Sequence, residues 1–129
     1  MNVDSLRIGE TAARLSESMG LRVHIIGSTD LTHYGYNYGF VPKGSGQQAV
    51  QWVKDENDRQ VIDAMLDMDP ERVIQVALAN QNACCAGAAA TAISAAKHLG
   101  ATRAETVEYA TSYDKNPSDS FVGYVGIVF

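Results

Sequence analysis

Hydrophobic positions change their period several times along the chain, and each change marks an element. Leu6, Ala12, Ala13, Leu15 and Met19 approximate a helical stripe, with Asp4 or Ser5 placed to cap it and Gly20 to stop it. Residues 21–26 follow as a near-continuous apolar run, the pattern of a strand buried on both faces. From 27 to 46 the periodicity disappears into a loop that carries Gly27, Gly35, Gly39, Gly44 and Gly46 together with Tyr34, Tyr36 and Tyr38. A connection of that length is usually functional or disordered, and its aromatic content argues against disorder. Residues 47–53 begin a helix. Residues 56–68 read as an amphipathic one through Val61, Ile62, Met65 and Leu66, and Pro70 suits the first turn of another that reaches about Asn80. After a break at 82–87 comes a small-residue helix over 88–99, ended by Gly100. Residues 105–111 and 121–129 read as strands separated by a polar turn around 114–119.

Three strands are few for about five helices, which suggests that more sheet comes from something this sequence does not encode. With 129 residues, the chain is expected to be one α/β domain over 1–129. Its 10 Lys and Arg against 15 Asp and Glu give a net charge of −5 and no basic cluster, so a nucleic-acid partner is not expected. No apolar run approaches the ~20 residues that span a bilayer, and residues 1–4 lack a signal-peptide core. Adjacent Cys84 and Cys85 do not make a disulfide framework. A cytoplasmic protein without membrane partners fits this composition.

Two places could carry chemistry. Asp30 and His33, just after the apolar run, share a face if the segment forms one helical turn. A carboxylate beside an imidazole raises its basicity, which serves proton transfer or a metal's surroundings. The plainer alternative is that Asp30 caps a turn and His33 is an ordinary loop residue. Cys84 lies where the small-residue helix begins, and the positive end of a helix dipole favours the thiolate that a nucleophile or metal ligand must be. A packed, inert cysteine is the competing reading. His24, inside the expected strand, is read as a core residue, His98 as a cation suited to a helix C-terminus, and Trp52 as a packing anchor.

The two segments also occur together, and in order, in a known family. Ser28-Thr29-Asp30-Leu31-Thr32-His33-Tyr34-Gly35, Ala83-Cys84 before a helix that ends His98-Leu99-Gly100-Ala101, Tyr109-Ala110-Thr111-Ser112, and Val122-Gly123-Tyr124 resemble the Memo family, which includes the AmmeMemoRadiSam system B proteins. The resemblance covers nearly the whole chain but only the C-terminal half of a full-length member. It implies a fold like that of class III extradiol dioxygenases, here a partial sheet with flanking helices on both faces and a metal-type site in a cleft. It places Asp30 and His33 at that cleft in catalytic roles, and Cys84 and His33 on the metal. The sequence departs from the pattern in having Cys85 and Ala86 after Cys84, where glycine is usual, so a one-residue slip would make Cys85 the family's cysteine. Motifs resembling P-H-A-G-Y and G-P-S-H-H, which carry the family's other site histidines, do not occur.

The expectation is therefore a Memo-like metal-site protein, a non-heme oxidoreductase whose site is incomplete in this chain. Iron, copper or zinc would bind weakly or not at all to the chain alone. A small molecule or peptide would be its ligand, and a homo-oligomer or an N-terminal-half partner would complete it. The alternatives are a non-catalytic binding or assembly module that retains the fold, and a cysteine hydrolase using Cys84, His33 and Asp30.

Overall fold

Small side chains decide how the helices meet. Helix α5 (Ala86–His98) is so poor in side-chain volume that α1 (Val3–Ser18) lies directly along it, and a β-carbon at Gly9 would run into the Thr91 carbonyl. The Thr91 and Ser94 hydroxyls donate across this contact to the carbonyls of Ser5 and Leu6, each at 2.9 Å. The computed structural model describes residues 3–129. The face of α1 that it buries is Ser5, Gly9, Ala13 and Ser16, which shares Ala13 with the expected stripe but not its bulky members: Leu15 and Met19 are 55% and 67% exposed, beside Ile8 at 59%. Close helix approach selects the small face, so the bulky one is turned outward. Asp4 sits in the first turn of a helix already running at Val3, while Gly20 (φ 66°) stops it as expected, with Leu21 N–H bonded to Ser16 O at 2.9 Å.

The sheet is antiparallel, in the order β1 (His33–Tyr34), β3 (Phe121–Val128), β2 (Glu105–Thr111). Its register pairs His33 with Val122 and Thr111 with Gly123, with an irregularity around Val107. Residues 21–26 form no strand. Residues 22–29 make no backbone–backbone hydrogen bond among the described residues, and Ile26 is 90% exposed. His24 is likewise exposed rather than in the core. The apolar run has strand character, but a strand needs a hydrogen-bonding neighbour. Residues 23–27, the end of β3 and Ala89, Ala92 and Ile93 of α5 together line a cavity of about 780 Å³.

Tyr109, Val125 and Ile127 on one face of β2 and β3 pack on a core of Leu31, just before β1, with Val61, Met65, Val73 and Ile93 from α3 (Asp58–Leu66), α4 (Pro70–Asn80) and α5. On the other face Val122 is buried while Tyr124 and Val128 are exposed. The mixed α/β architecture with flanking helices is as expected. A second core joins Tyr34, Ala49, Val50, Val53 and Phe121, with Tyr34 stacked on Phe121 at 5.3 Å between centroids. Trp52 packs against it as an anchor, whereas Tyr36 and Tyr38 are exposed. Between α2 (Gln47–Trp52) and α3 the helix widens into a π-helical turn, Val53–Asn57, so the two helices expected here are continuous. The polar turn holds a short helix, α6 (Ser112–Lys115), started by a capping box of Thr111 and Asp114.

Candidate metal centre

The centre forms where two irregular segments are tied together just outside the first core. Cys84 N–H donates to Asp30 O at 3.1 Å and Cys85 N–H to Thr29 Oγ1 at 2.9 Å, so residues 29–30 and 84–85 run side by side. The Thr29 hydroxyl donates to Asp30 O at 2.9 Å and lies 3.8 Å from Cys84 Sγ. No helical turn forms at residues 30–33. Even so, His33 Nε2, at the start of β1, and Asp30 Oδ2 are 3.4 Å apart. The Tyr38 ring packs on the imidazole, 5.0 Å between centroids.

One donor atom each from Asp30, His33 and Cys84 lies within 4.8 Å of the other two. A tetrahedral ion with bonds of about 2.0–2.3 Å holds its donors roughly 3.3–3.8 Å apart, which side-chain rotation here can reach. Carboxylate oxygen, imidazole nitrogen and thiolate sulfur are the donor types that zinc, iron and copper accept. The residues present therefore fit such an ion, with three donors. Asp30 and His33 are partly exposed and Cys84 is exposed, so as an ion pair alone the first two contribute at most ~1 kcal/mol. Both cysteines are exposed, which sets aside the packed-cysteine reading. Cys85 occupies the N-cap of α5, yet its thiol is pushed up rather than down, first by the neighbouring Cys84 sulfur and further by Asp30.

Beneath the centre lies a buried polar network that the sequence reading missed. Asp58 Oδ1 accepts Thr32 N–H at 2.9 Å and the Thr32 hydroxyl at 2.5 Å, while Oδ2 accepts the Tyr109 hydroxyl at 2.7 Å. Asn57 donates to Thr32 Oγ1 and to Asn80 O, and Asn82 donates to Asn57 O at 2.7 Å. Thr32 stands between Asp30 and His33, and Asn82 two residues before Cys84, so the network fixes both halves of the centre from below. Burial raises the Asp58 carboxyl above its ordinary range, with the three bonds from Thr32 and Tyr109 opposing it. The Tyr109 hydroxyl is pushed up by burial and by the Asp58 charge. A signal was available: Asp58 falls on the same helical face as Val61, Ile62 and Met65.

The model of the Memo-like protein family matches residues 5–128. The chain belongs to the Memo family. A MEMO1 family protein of Pyrococcus furiosus is 33% identical over 126 residues, which is 96% of this chain and 43% of that protein. One of Thermococcus kodakarensis is 33% identical over 124 residues, 95% of this chain and 43% of the relative. One of Methanococcoides burtonii is 33% identical over 125 residues, 96% and 42%. The chain thus spans less than half the length of these Memo relatives. Among the described residues no helix is long and apolar enough to cross a membrane.

Proposed function

We propose that this Memo-family chain supplies one wall of a transition-metal centre in the cytoplasm, with Cys84 and His33 as ligands and Asp30 as a proton-handling or third ligand group. The observation that carries the reading is the approach of three chemically different donors to within 4.8 Å. A zinc, iron or copper ion bound there would supply Lewis-acid or one-electron chemistry. The part of the chain's own residues is to hold that ion through Cys84 Sγ and the His33 imidazole, and to take up or release a proton at Asp30 where its carboxylate is not itself a ligand, beside a small-molecule or peptide substrate. Cys84 Sγ has its hydrogen-bond contact with Thr29 Oγ1 and none with the imidazole among the described residues, which gives the cysteine-hydrolase reading no support.

The chain corresponds, in this proposal, to the C-terminal half of a Memo polypeptide, and the rest of the centre comes from sequence it does not span. Ile8, Leu15 and Met19 on α1, Leu21 and Ile26 on the unpaired run, and Tyr124 and Val128 on the other sheet face are all exposed. Such surfaces are usual where another polypeptide is seated. They equally favour the second reading, a binding or assembly module, with the partner an N-terminal-half polypeptide or a second copy of this chain.

The test is metal retention after loading with zinc, iron or copper salts and gel filtration. The chain alone is expected to hold less than one ion, with less still in Cys84→Ala and His33→Ala. Retention unchanged in Cys84→Ala would remove the thiol from the centre and leave the assembly reading.

A further inference from the structure

The metal reading counts one sulfur, but the molecule offers two. Cys84 and Cys85 are both exposed and neither is in a disulfide. Their consecutive backbone N–H groups are both held by the Thr29–Asp30 strip, at 3.1 and 2.9 Å, and the same Thr29 hydroxyl that accepts Cys85 N–H touches Cys84 Sγ. The backbone of both residues is therefore fixed at the edge of the Asp30–His33 pair, leaving the side chains to rotate. A disulfide between neighbours in sequence is strained, because its preferred dihedral and Cα separation cannot both be met. Two thiols so placed are available to a third atom instead.

We propose that Cys84 and Cys85 act as a vicinal dithiol that chelates one thiophilic d¹⁰ metal ion, with His33 and Asp30 completing a four-donor set. Cys85 lies outside the 4.8 Å cluster of the other three and joins it by rotation of its exposed side chain. Each metal–sulfur bond forms as its thiol releases a proton to solvent, and no oxidant or reductant is needed. Two thiolates shift the preference of the site toward softer ions, away from those that carboxylate and imidazole alone would hold. They also raise the donors available within this chain from three to four, a capacity that a single cysteine at this place would not give.

This inference rests on the metal reading above and is tested separately from it. The full chain is titrated with cadmium(II), whose thiolate charge-transfer absorbance counts the bound sulfurs. The wild type is expected to show the two-sulfur amplitude at one ion per chain. Cys84→Ser and Cys85→Ser should each show half that amplitude and bind roughly tenfold or more weakly. His33→Ala should weaken binding and leave the amplitude whole. Circular dichroism checks that each variant folds, which exposure of both thiols favours. Full amplitude and affinity in Cys85→Ser, with loss in Cys84→Ser, would overturn the dithiol and leave the one-cysteine centre standing. Failure of the wild type to bind cadmium would overturn both.

Discussion

The Asp58 carboxylate occupies the space into which a side chain at Gly123 would project. The strand that pairs with β1 thus passes close over a buried acid, and the acid can in turn hold Thr32 from beneath. Gly123→Ala must displace either β3 or the carboxylate, and overpacking of this kind costs about 1–3 kcal/mol. A lower urea midpoint with an unchanged slope is the expected result. A midpoint equal to that of the wild type would mean that the network moves aside freely.

Removing the acid is expected to cost more than neutralising it. Asp58→Ala leaves Thr32 N–H and the Tyr109 hydroxyl without their acceptor in a buried place, a loss of about 3 kcal/mol or more. Asp58→Asn keeps one acceptor oxygen and should cost less. The sign of the pH effect follows from the raised carboxyl. The folded state holds this proton more tightly than the unfolded chain, so the associated stabilisation is fully present below the ordinary value of 3.8 and is lost as pH rises through the higher folded value. The stability difference between wild type and Asp58→Asn, followed by thermal unfolding, should therefore shift in favour of the wild type as pH falls.

Thr29 is expected to position the thiols while contributing little to the fold. Thr29→Val keeps the shape and deletes the hydroxyl that accepts Cys85 N–H and touches Cys84 Sγ. Zinc affinity should drop severalfold while the melting temperature changes by less than the equivalent of ~1 kcal/mol. Equal affinity in wild type and variant would show that the backbone bond from Cys84 to Asp30 suffices.

The exposed run is a surface in waiting, so charge there should alter association rather than folding. Ile26→Lys is expected to change unfolding free energy by no more than about 0.5 kcal/mol. In sedimentation velocity it should reduce self-association or uptake of a complementing polypeptide. Strong destabilisation instead would mean that residues 21–26 are needed by the fold itself.

Much of this was legible in the sequence because local rules govern it. Gly20, Pro70 and Gly100 end or begin helices by backbone preference alone, and the apolar spacing of Val61, Ile62 and Met65 needs no knowledge of a partner. Asp30, His33 and Cys84 were found from the motifs they stand in, and the structure brings them together. The run at 21–26 misled because its composition records burial that the described residues do not provide. The buried face of α1 was missed because Ser5, Gly9 and Ser16 carry no hydrophobic signal; they matter through how closely they let α5 approach. Asp58 was missed because its partners, Thr32 and Tyr109, come from distant parts of the chain.

The widened turn at Val53–Asn57 has a consequence for how the chain can change length. Up to its first residue, Ala49, Val50 and Val53 face the aromatic cluster; from its last, Asn57 and Asp58 face Thr32. Deleting a single residue would tighten the turn to ordinary helix and swing one side against the other by about 100°. Either the aromatic anchor or the buried acid would then point to water. Two neighbourhoods are kept in phase by one surplus residue, and the helix between them sets the timing for both.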